Sequence, residues 1–201
     1  TGPMHVAAVA SPMGDGRTVC WVGRNVTALK RTEAALRELS TRDELTGLLN
    51  RRALVERLTT EMERALRYDS SVALLLVDLD HFKRVNDTHG HLAGDGVLRA
   101  VAELLQEEAR SSDLVARYGG EEFAVILPAT RLEDGLSLAE NLRELVATRQ
   151  IQLKDSNRSL GRVTLSIGVA AYRPGEPCPD WVERADGALY LAKRGGRNCV
   201  I

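Results

Sequence analysis

Residues 71–77, Ser71-Val72-Ala73-Leu74-Leu75-Leu76-Val77, form an unbroken apolar run of strand length. Such a run predicts a central strand buried on both faces. Around it the pattern alternates. Leu54, Leu58, Met62, Ala65 and Leu66 recur at helical spacing and predict a helix over 52–68, which Asp43 opens. Leu98, Val101, Leu104 and Leu105 predict a helix through 92–109, and Leu136, Leu138, Leu142, Leu145 and Val146 another over 132–148. Two further apolar runs, 114–118 and 123–127, flank Gly119-Gly120 and read as a tight β-hairpin. Its glycines would supply positive φ and let another molecule approach the backbone. Residues 149–161 are polar and loop-like; a strand over 163–172 and a final helix over 181–194 complete the order. Mixed strands and helices with one hairpin predict an α+β fold, a sheet covered by helices in three layers.

The first 28 residues do not match this pattern. Two short strands, 5–10 and 18–23, surround Gly14-Asp15-Gly16, a hairpin signal in a segment too small to bury a core alone. From 27 to 39 the chain reads as helix, with Thr27 as N-cap and Leu29, Leu36 and Leu39 along one face. That stripe fits a partner helix without demanding one.

At 201 residues the chain fits one domain, or one domain with an appendage. A net charge of −1 gives no case for binding nucleic acid through bulk electrostatics, and aromatics at 4% provide no stacking platform for single strands. No apolar stretch approaches the ~20 residues that span a bilayer, and no signal peptide is seen. Cys20, Cys178 and Cys199 fit neither a metal spacing nor a complete disulfide framework. These features are those expected of a cytoplasmic protein, and a chain that starts in mid-pattern at Thr1 reads as a piece of something longer.

The candidate chemistry is acidic. Asp78-Leu79-Asp80-His81-Phe82-Lys83 follows the central strand, and Glu121-Glu122 follows the hairpin glycines. Ligands of α/β sheets gather where loops leave the strand ends. A carboxylate from each cluster could hold a divalent cation, and oxygen-only ligands favour Mg²⁺ or Mn²⁺ over zinc. Alone, a Gly-Gly-Glu-Glu turn reads as a solvated hairpin tip; the second cluster is what changes that reading. Asp80 reads equally as a catalytic group or as a cap for a helix starting near His81.

The motifs Asp78-x-Asp80-x-Phe82-Lys83-x-x-Asn86-Asp87-x-x-Gly90-His91-x-x-Gly94-Asp95 and Arg117-Tyr118-Gly119-Gly120-Glu121-Glu122-Phe123 resemble the GGDEF domain of diguanylate cyclases. Asp43-Glu44-Leu45-Thr46-Gly47-Leu48-Leu49-Asn50-Arg51-Arg52 resembles the family's entry motif, 164–170 its late strand, and Ala192-Lys193-x-x-Gly196-Arg197-Asn198 its closing motif. Residues 23–31 resemble the exit of a PAS sensory domain. The resemblance implies a PAS-like C-terminal fragment over 1–28, a signalling linker helix over 29–42 and a GGDEF domain over 43–201. It also implies a nucleotide-cyclase-like fold with a central, mostly antiparallel sheet flanked by helices.

By the same resemblance, two Mg²⁺ or Mn²⁺ ions per site are held by Asp78, Glu121, the Leu79 carbonyl and, with less weight, Glu122. Glu121 doubles as general base, and Lys83 stabilises the transition state. Lys193 and Arg197 hold the β- and γ-phosphates of GTP, while Asn86 and Asp95 read guanine and His91 adds a substrate contact. A carboxylate at 95 suits guanine, whose N1–H and 2-amino group are donors that adenine lacks. Phe82 stands within the substrate motif but, like Phe123, reads better as core, and His89 as a packing or surface residue. Arg110-x-x-Asp113 resembles the site at which the product, cyclic di-GMP, inhibits; the alternative is a helix-end pair. Asn141 stands where the family often has a second arginine, with Arg143 nearby.

The implied activity condenses two GTP into cyclic di-GMP and two pyrophosphates in a homodimer, one GTP per subunit. A non-catalytic nucleotide receptor, a cyclase forming a single-nucleotide ring and a purely structural module are the rivals. The retained acids, Asp95 and the spaced motifs respectively weigh against them.

Overall fold

The computed structural model describes residues 6–12, 19–25, 27, 41–149 and 162–201. The chain divides into two units, 1–41 and 42–201. In the first, β1 (Val6–Pro12) pairs antiparallel with β2 (Val19–Asn25), Val9 opposite Val22. This is the hairpin expected there. The Gly14-Asp15-Gly16 turn, and the linker helix as far as residue 40, lie outside the described residues, whereas Arg42 forms an isolated bridge to Leu49.

The second unit runs β3 (Leu49–Asn50), α1 (Arg51–Tyr68), β4 (Val72–Leu79), α2 (Phe82–His89), α3 (His91–Glu108), β5 (Leu114–Arg117), β6 (Glu122–Pro128), α4 (Leu132–Thr148), β7 (Leu165–Ala171), α5 (Cys178–Arg194). The sheet order is β3-β5-β6-β4-β7, with every pair antiparallel except β3 and β5. All of β4 is buried, as its apolar run requires. Period-two alternation splits it between two cores. Ala73, Leu75, Val77 and Leu79 face Val97, Val101, Leu105, Leu142 and Val146 of α3 and α4. Leu74 and Leu76 face Leu54, Leu58, Trp181, Ala185 and Leu189 of α1 and α5. Each fully buried leucine is worth roughly 1.5–3 kcal/mol, so the two apolar faces of one strand fix the helix–sheet–helix layering. The α+β class and its mostly antiparallel sheet are as expected.

Several boundaries differ. Asp43 does not open α1; Asn50 caps it, its side chain accepting from the Ala53 N–H at 3.0 Å. Asp43 instead sits in a preceding turn. The two-residue β3 gave no sequence signal, being too short for any period. The 92–109 pattern is α3, and Gly90, with φ 84°, separates it from the shorter α2 before it. The C-terminal residues add to the outer edge of β7: Ile167 N–H donates to Cys199, Val169 N–H to Ile201 and Ile201 N–H to Ile167, at 2.8–3.0 Å. Across β7, α5 comes very close, because a Cβ on Gly168 would lie 2.2 Å from the Ala185 carbonyl and the Leu189 nitrogen.

Candidate active site

β4 and β6 lie side by side with Asp78 opposite Glu122. The hairpin tip therefore returns beside the end of β4, and the Leu79 N–H donates to the Glu121 carbonyl at 3.2 Å. This register brings the two acidic clusters to one end of the sheet's central strands. The close seating of α5 brings in a base as well: Lys193, in its last turn, places Nζ 2.7 Å from Asp78 Oδ2. Asp78 is only 5% exposed. Burial pushes its carboxyl up, Lys193 opposes this, and the charges of Glu122 and Asp80 add to it. Glu121 is also pushed up, first by burial and then by Asp78, with Lys193 opposing and Glu122 adding.

Carboxylates that disfavour one another's ionisation form the donor set a divalent cation relieves. Among the described residues, no three histidine, cysteine or carboxylate side chains form a ready cation cage. The Lys193 ammonium is the positive charge that meets Asp78.

Contrary to expectation, Gly119 and Gly120 do not have positive φ; the described glycines that do are Gly47, Gly90, Gly175 and Gly196. Space is tight at position 119, since a Cβ there would lie 2.3 Å from Glu122 Oε2 and the Glu122 side chain would have to shift. A Cβ on Gly120 would meet nothing within 4 Å. The tip is closed by the Tyr118 and Gly119 N–H groups, which donate to the Glu122 carbonyl at 2.8 and 3.1 Å. Arg117 Nη2 donates to the Gly120 carbonyl at 2.7 Å, while its Nη1 lies 3.2 Å from both Asp43 oxygens. Asp43 also accepts from the Thr46 N–H and hydroxyl at 2.9 and 2.7 Å. Burial raises the Asp43 carboxyl, but Thr46 and Arg117 together bring it below its usual value. The entry motif is thus a brace for the hairpin tip, a role sequence reasoning missed. The Asp-x-x-Thr spacing, which suits a side chain bonding back to its own turn, was the available signal.

Asn86 and Asp95, both half-buried, are brought together by the fold-back of α2 onto α3. A Cβ on Gly94 would lie 1.9 Å from Asn86 Oδ1 and 3.1 Å from Phe82 Cζ. The carboxamide therefore rests on bare backbone beside Asp95, with the Phe82 ring beneath. Phe82, 7% exposed, belongs to the core, so its part in this cradle is packing. Lys83 in the first turn of α2, His91 at the start of α3 and His89 at the end of α2 are exposed. Arg197 is exposed in the turn after α5.

Asp80 does not cap α2: His81 precedes that helix with φ 57° and makes no side-chain cap bond. Its carboxylate turns inward and accepts from Thr164 Oγ1, Ser166 Oγ and the Asn198 N–H.

Arg110 and Asp113 occupy the turn between α3 and β5, where the Arg110 N–H donates to Asp113 Oδ2 at 2.8 Å. They help line a cavity of about 370 Å³ with Arg42, Arg57 and Gln106. Asn141 is exposed, and its neighbour Arg143 is engaged by Glu140 at 2.6 Å and by Asn198 Oδ1 at 3.0 Å.

Known proteins supply the comparison. The family described as diguanylate cyclase, GGDEF domain, matches residues 40–199. The chain is 47% identical over 162 residues to diguanylate cyclase DgcP of Pseudomonas aeruginosa, covering 81% of this chain and 24% of that protein. It is 42% identical over 200 residues to diguanylate cyclase DgcM of Escherichia coli, covering 98% of this chain and 47% of that protein. It thus spans about a quarter to a half of the length of these relatives. Among solved structures, the GGDEF domain of DgcB from Caulobacter crescentus, in complex with c-di-GMP, superposes with a TM-score of 0.77 at 42% identity, covering 80% of this chain and 91% of that one. The active GGEEF domain of a Vibrio cholerae diguanylate cyclase does so with a TM-score of 0.69 at 34% identity, covering 76% and 96%. An acidic hairpin tip laid against an acidic strand end, and a family match over 160 of 201 residues, lead to one conclusion: the chain belongs to the GGDEF-domain diguanylate cyclases.

Proposed function

We propose that residues 43–201 condense two GTP molecules into cyclic di-GMP and two pyrophosphates, each domain holding one GTP and facing a second copy. The observation that carries this reading is the register of β4 against β6, which sets Asp78 opposite Glu122 with Glu121 beside them. Such a donor set fits divalent cations: Asp78, Glu121, Glu122 and the Leu79 carbonyl would hold two Mg²⁺ or Mn²⁺. When bound, the ions would offset charge on the triphosphate and on the departing pyrophosphate. Binding would also move Lys193 from Asp78 to the β- and γ-phosphates, where Arg197 joins it. Asn86 and Asp95 select guanine. The raised pKa of Glu121 suits a group that accepts the proton of the ribose 3′-hydroxyl. The 3′-oxygen then attacks the α-phosphorus of the GTP on the facing domain, and the bond to the β-phosphate oxygen breaks. Lys83 carries positive charge toward the pentacovalent phosphorus. A second attack in the opposite sense closes the ring.

Product binding at Arg110 and Asp113 would slow synthesis, and the polar cavity beside them supports that assignment. Asn141 removes the second arginine, and Arg143 is already paired, so product would be held through fewer charges here. The N-terminal unit, read as the end of a PAS-like domain with its linker helix, would set how two domains meet.

The test is chromatography of the products formed from GTP and Mg²⁺ at high protein concentration. Cyclic di-GMP and pyrophosphate from the parent, with neither from Glu121→Gln, is the expected result. GTP that binds and stays intact under forced dimerisation would instead indicate a receptor.

A further inference from the structure

Asp80 is a buried carboxylate for which the proposed chemistry has no use. It is 6% exposed and lies one residue beyond β4. Its oxygens take three neutral donors: the Thr164 hydroxyl at 2.7 Å, the Ser166 hydroxyl at 2.7 Å and the backbone N–H of Asn198 at 3.0 Å. A buried carboxylate is costly and is kept where its hydrogen bonds hold something in place.

What it holds is a turn with an unfavourable backbone. Gly196, Arg197 and Asn198 take φ of 118°, 64° and 47° in succession, and two of these residues are not glycine. Such a run persists only where its surroundings over-determine it. The anchors are the Arg197 N–H on the Ala192 carbonyl at 3.1 Å, the Asn198 N–H on Asp80, and Arg143 Nη1 on Asn198 Oδ1 at 3.0 Å. Beyond the turn, the chain continues along the edge of β7.

We propose that Asp80 is a positioning residue that fixes the Gly196-Arg197-Asn198 turn, and so sets Arg197 for the terminal phosphates of the nucleotide. The two acids that close β4 then hold the two basic residues of the closing motif by different means. Asp78 meets Lys193 directly, while Asp80 holds the backbone next to Arg197. A carboxylate suits all three because it only accepts; an asparagine would turn its NH₂ either toward the Asn198 N–H, which cannot accept, or toward a hydroxyl that would have to rotate away. Arg143, itself paired with Glu140, extends the same support into α4. A pre-set guanidinium spares the ordering that a mobile one would need on binding.

This inference rests on the GTP reading of the site, and the test separates the two. GTP and GMP, the latter lacking β- and γ-phosphates, are titrated calorimetrically with Mg²⁺ into the parent chain, Asp80→Asn and Arg143→Gln. Asp80→Asn should weaken GTP at least about tenfold and GMP less than about twofold, with Arg143→Gln showing a smaller loss of the same selectivity. Equal losses for the two nucleotides in a folded Asp80→Asn, or an unchanged preference for GTP, would overturn the positioning role alone. A parent that binds neither nucleotide would overturn the GTP reading and this role together. Should Asp80→Asn fail to fold, Arg143→Gln decides: a loss confined to GTP supports the role, and none overturns it.

Discussion

Glu121 and Gly94 show how single residues set the site. Burial and Asp78 raise the Glu121 carboxyl above its ordinary value, so the folded chain holds more protons than the unfolded one between the two pKa values. Unfolding free energy therefore falls as pH rises through that window. Glu121→Gln removes the effect. Metal-free melts should coincide with the parent below about pH 4 and exceed it at higher pH. Solvent screening at this half-exposed group keeps the gain small, on the order of 1 °C. Mg²⁺ should raise the parent's melting temperature more than the variant's, and cyclase activity should fall at least about 10²-fold. A variant less stable than the parent at neutral pH would contradict the burial argument. At Gly94, an added Cβ would strike Asn86 Oδ1, the end of a flexible side chain. Gly94→Ala should leave the fold intact and weaken GTP about tenfold or more in a binding titration, since a displaced carboxamide leaves a polar group of the base unpaired. Most candidate residues could be named at this scale because their types and spacing match the family's motifs. The role of Asp80 could not, because its donors Thr164, Ser166 and Asn198 lie more than 80 residues away along the chain.

Between elements, two contacts place the site. The Asp43–Arg117–Gly120 chain ties the entry turn to the hairpin tip. Arg117→Met should cost about 1–3 kcal/mol in urea unfolding, by leaving the half-buried Asp43 without its cation, and should lower cyclase activity through a loosened tip. Gly168→Ala acts differently. Its Cβ would meet the backbone of α5 at 2.2 Å, where no side chain can yield, so it should cost about 3 kcal/mol and shift Lys193 away from Asp78. An undisturbed melting temperature for Gly168→Ala would refute the close packing. The long helices and long strands were readable from period alone, since β4 and the helix stripes are uninterrupted; α2, with Phe82 as its one buried residue, carries no stripe. β3 was not, because two residues carry no period. The tip glycines were read as turn formers by φ, and it is the Glu122 side chain beside Gly119 that matters.

At the level of the whole molecule, the central claim is that each domain carries half of a reaction. In the proposed reading, the acids at the ends of β4 and β6, the Asn86–Asp95 cradle and the basic pair Lys193 and Arg197 would together accommodate one GTP. A two-nucleotide ring then needs two copies. Fold class followed from the alternation of strands and helices, and the proposed activity from the resemblance of the spaced motifs to the family. In the proposed dimer, residues 1–41 would help set how two copies meet, and no single-chain pattern encodes a pairing surface. The most direct measurement is the initial rate of cyclic di-GMP formation across a dilution series, at saturating GTP and Mg²⁺. The rate should rise faster than linearly with protein concentration, and a fused dimerising coil should make it proportional. Strict proportionality from dilute, unfused protein would contradict the two-domain mechanism, and a fused dimer that yields no product would contradict the cyclase.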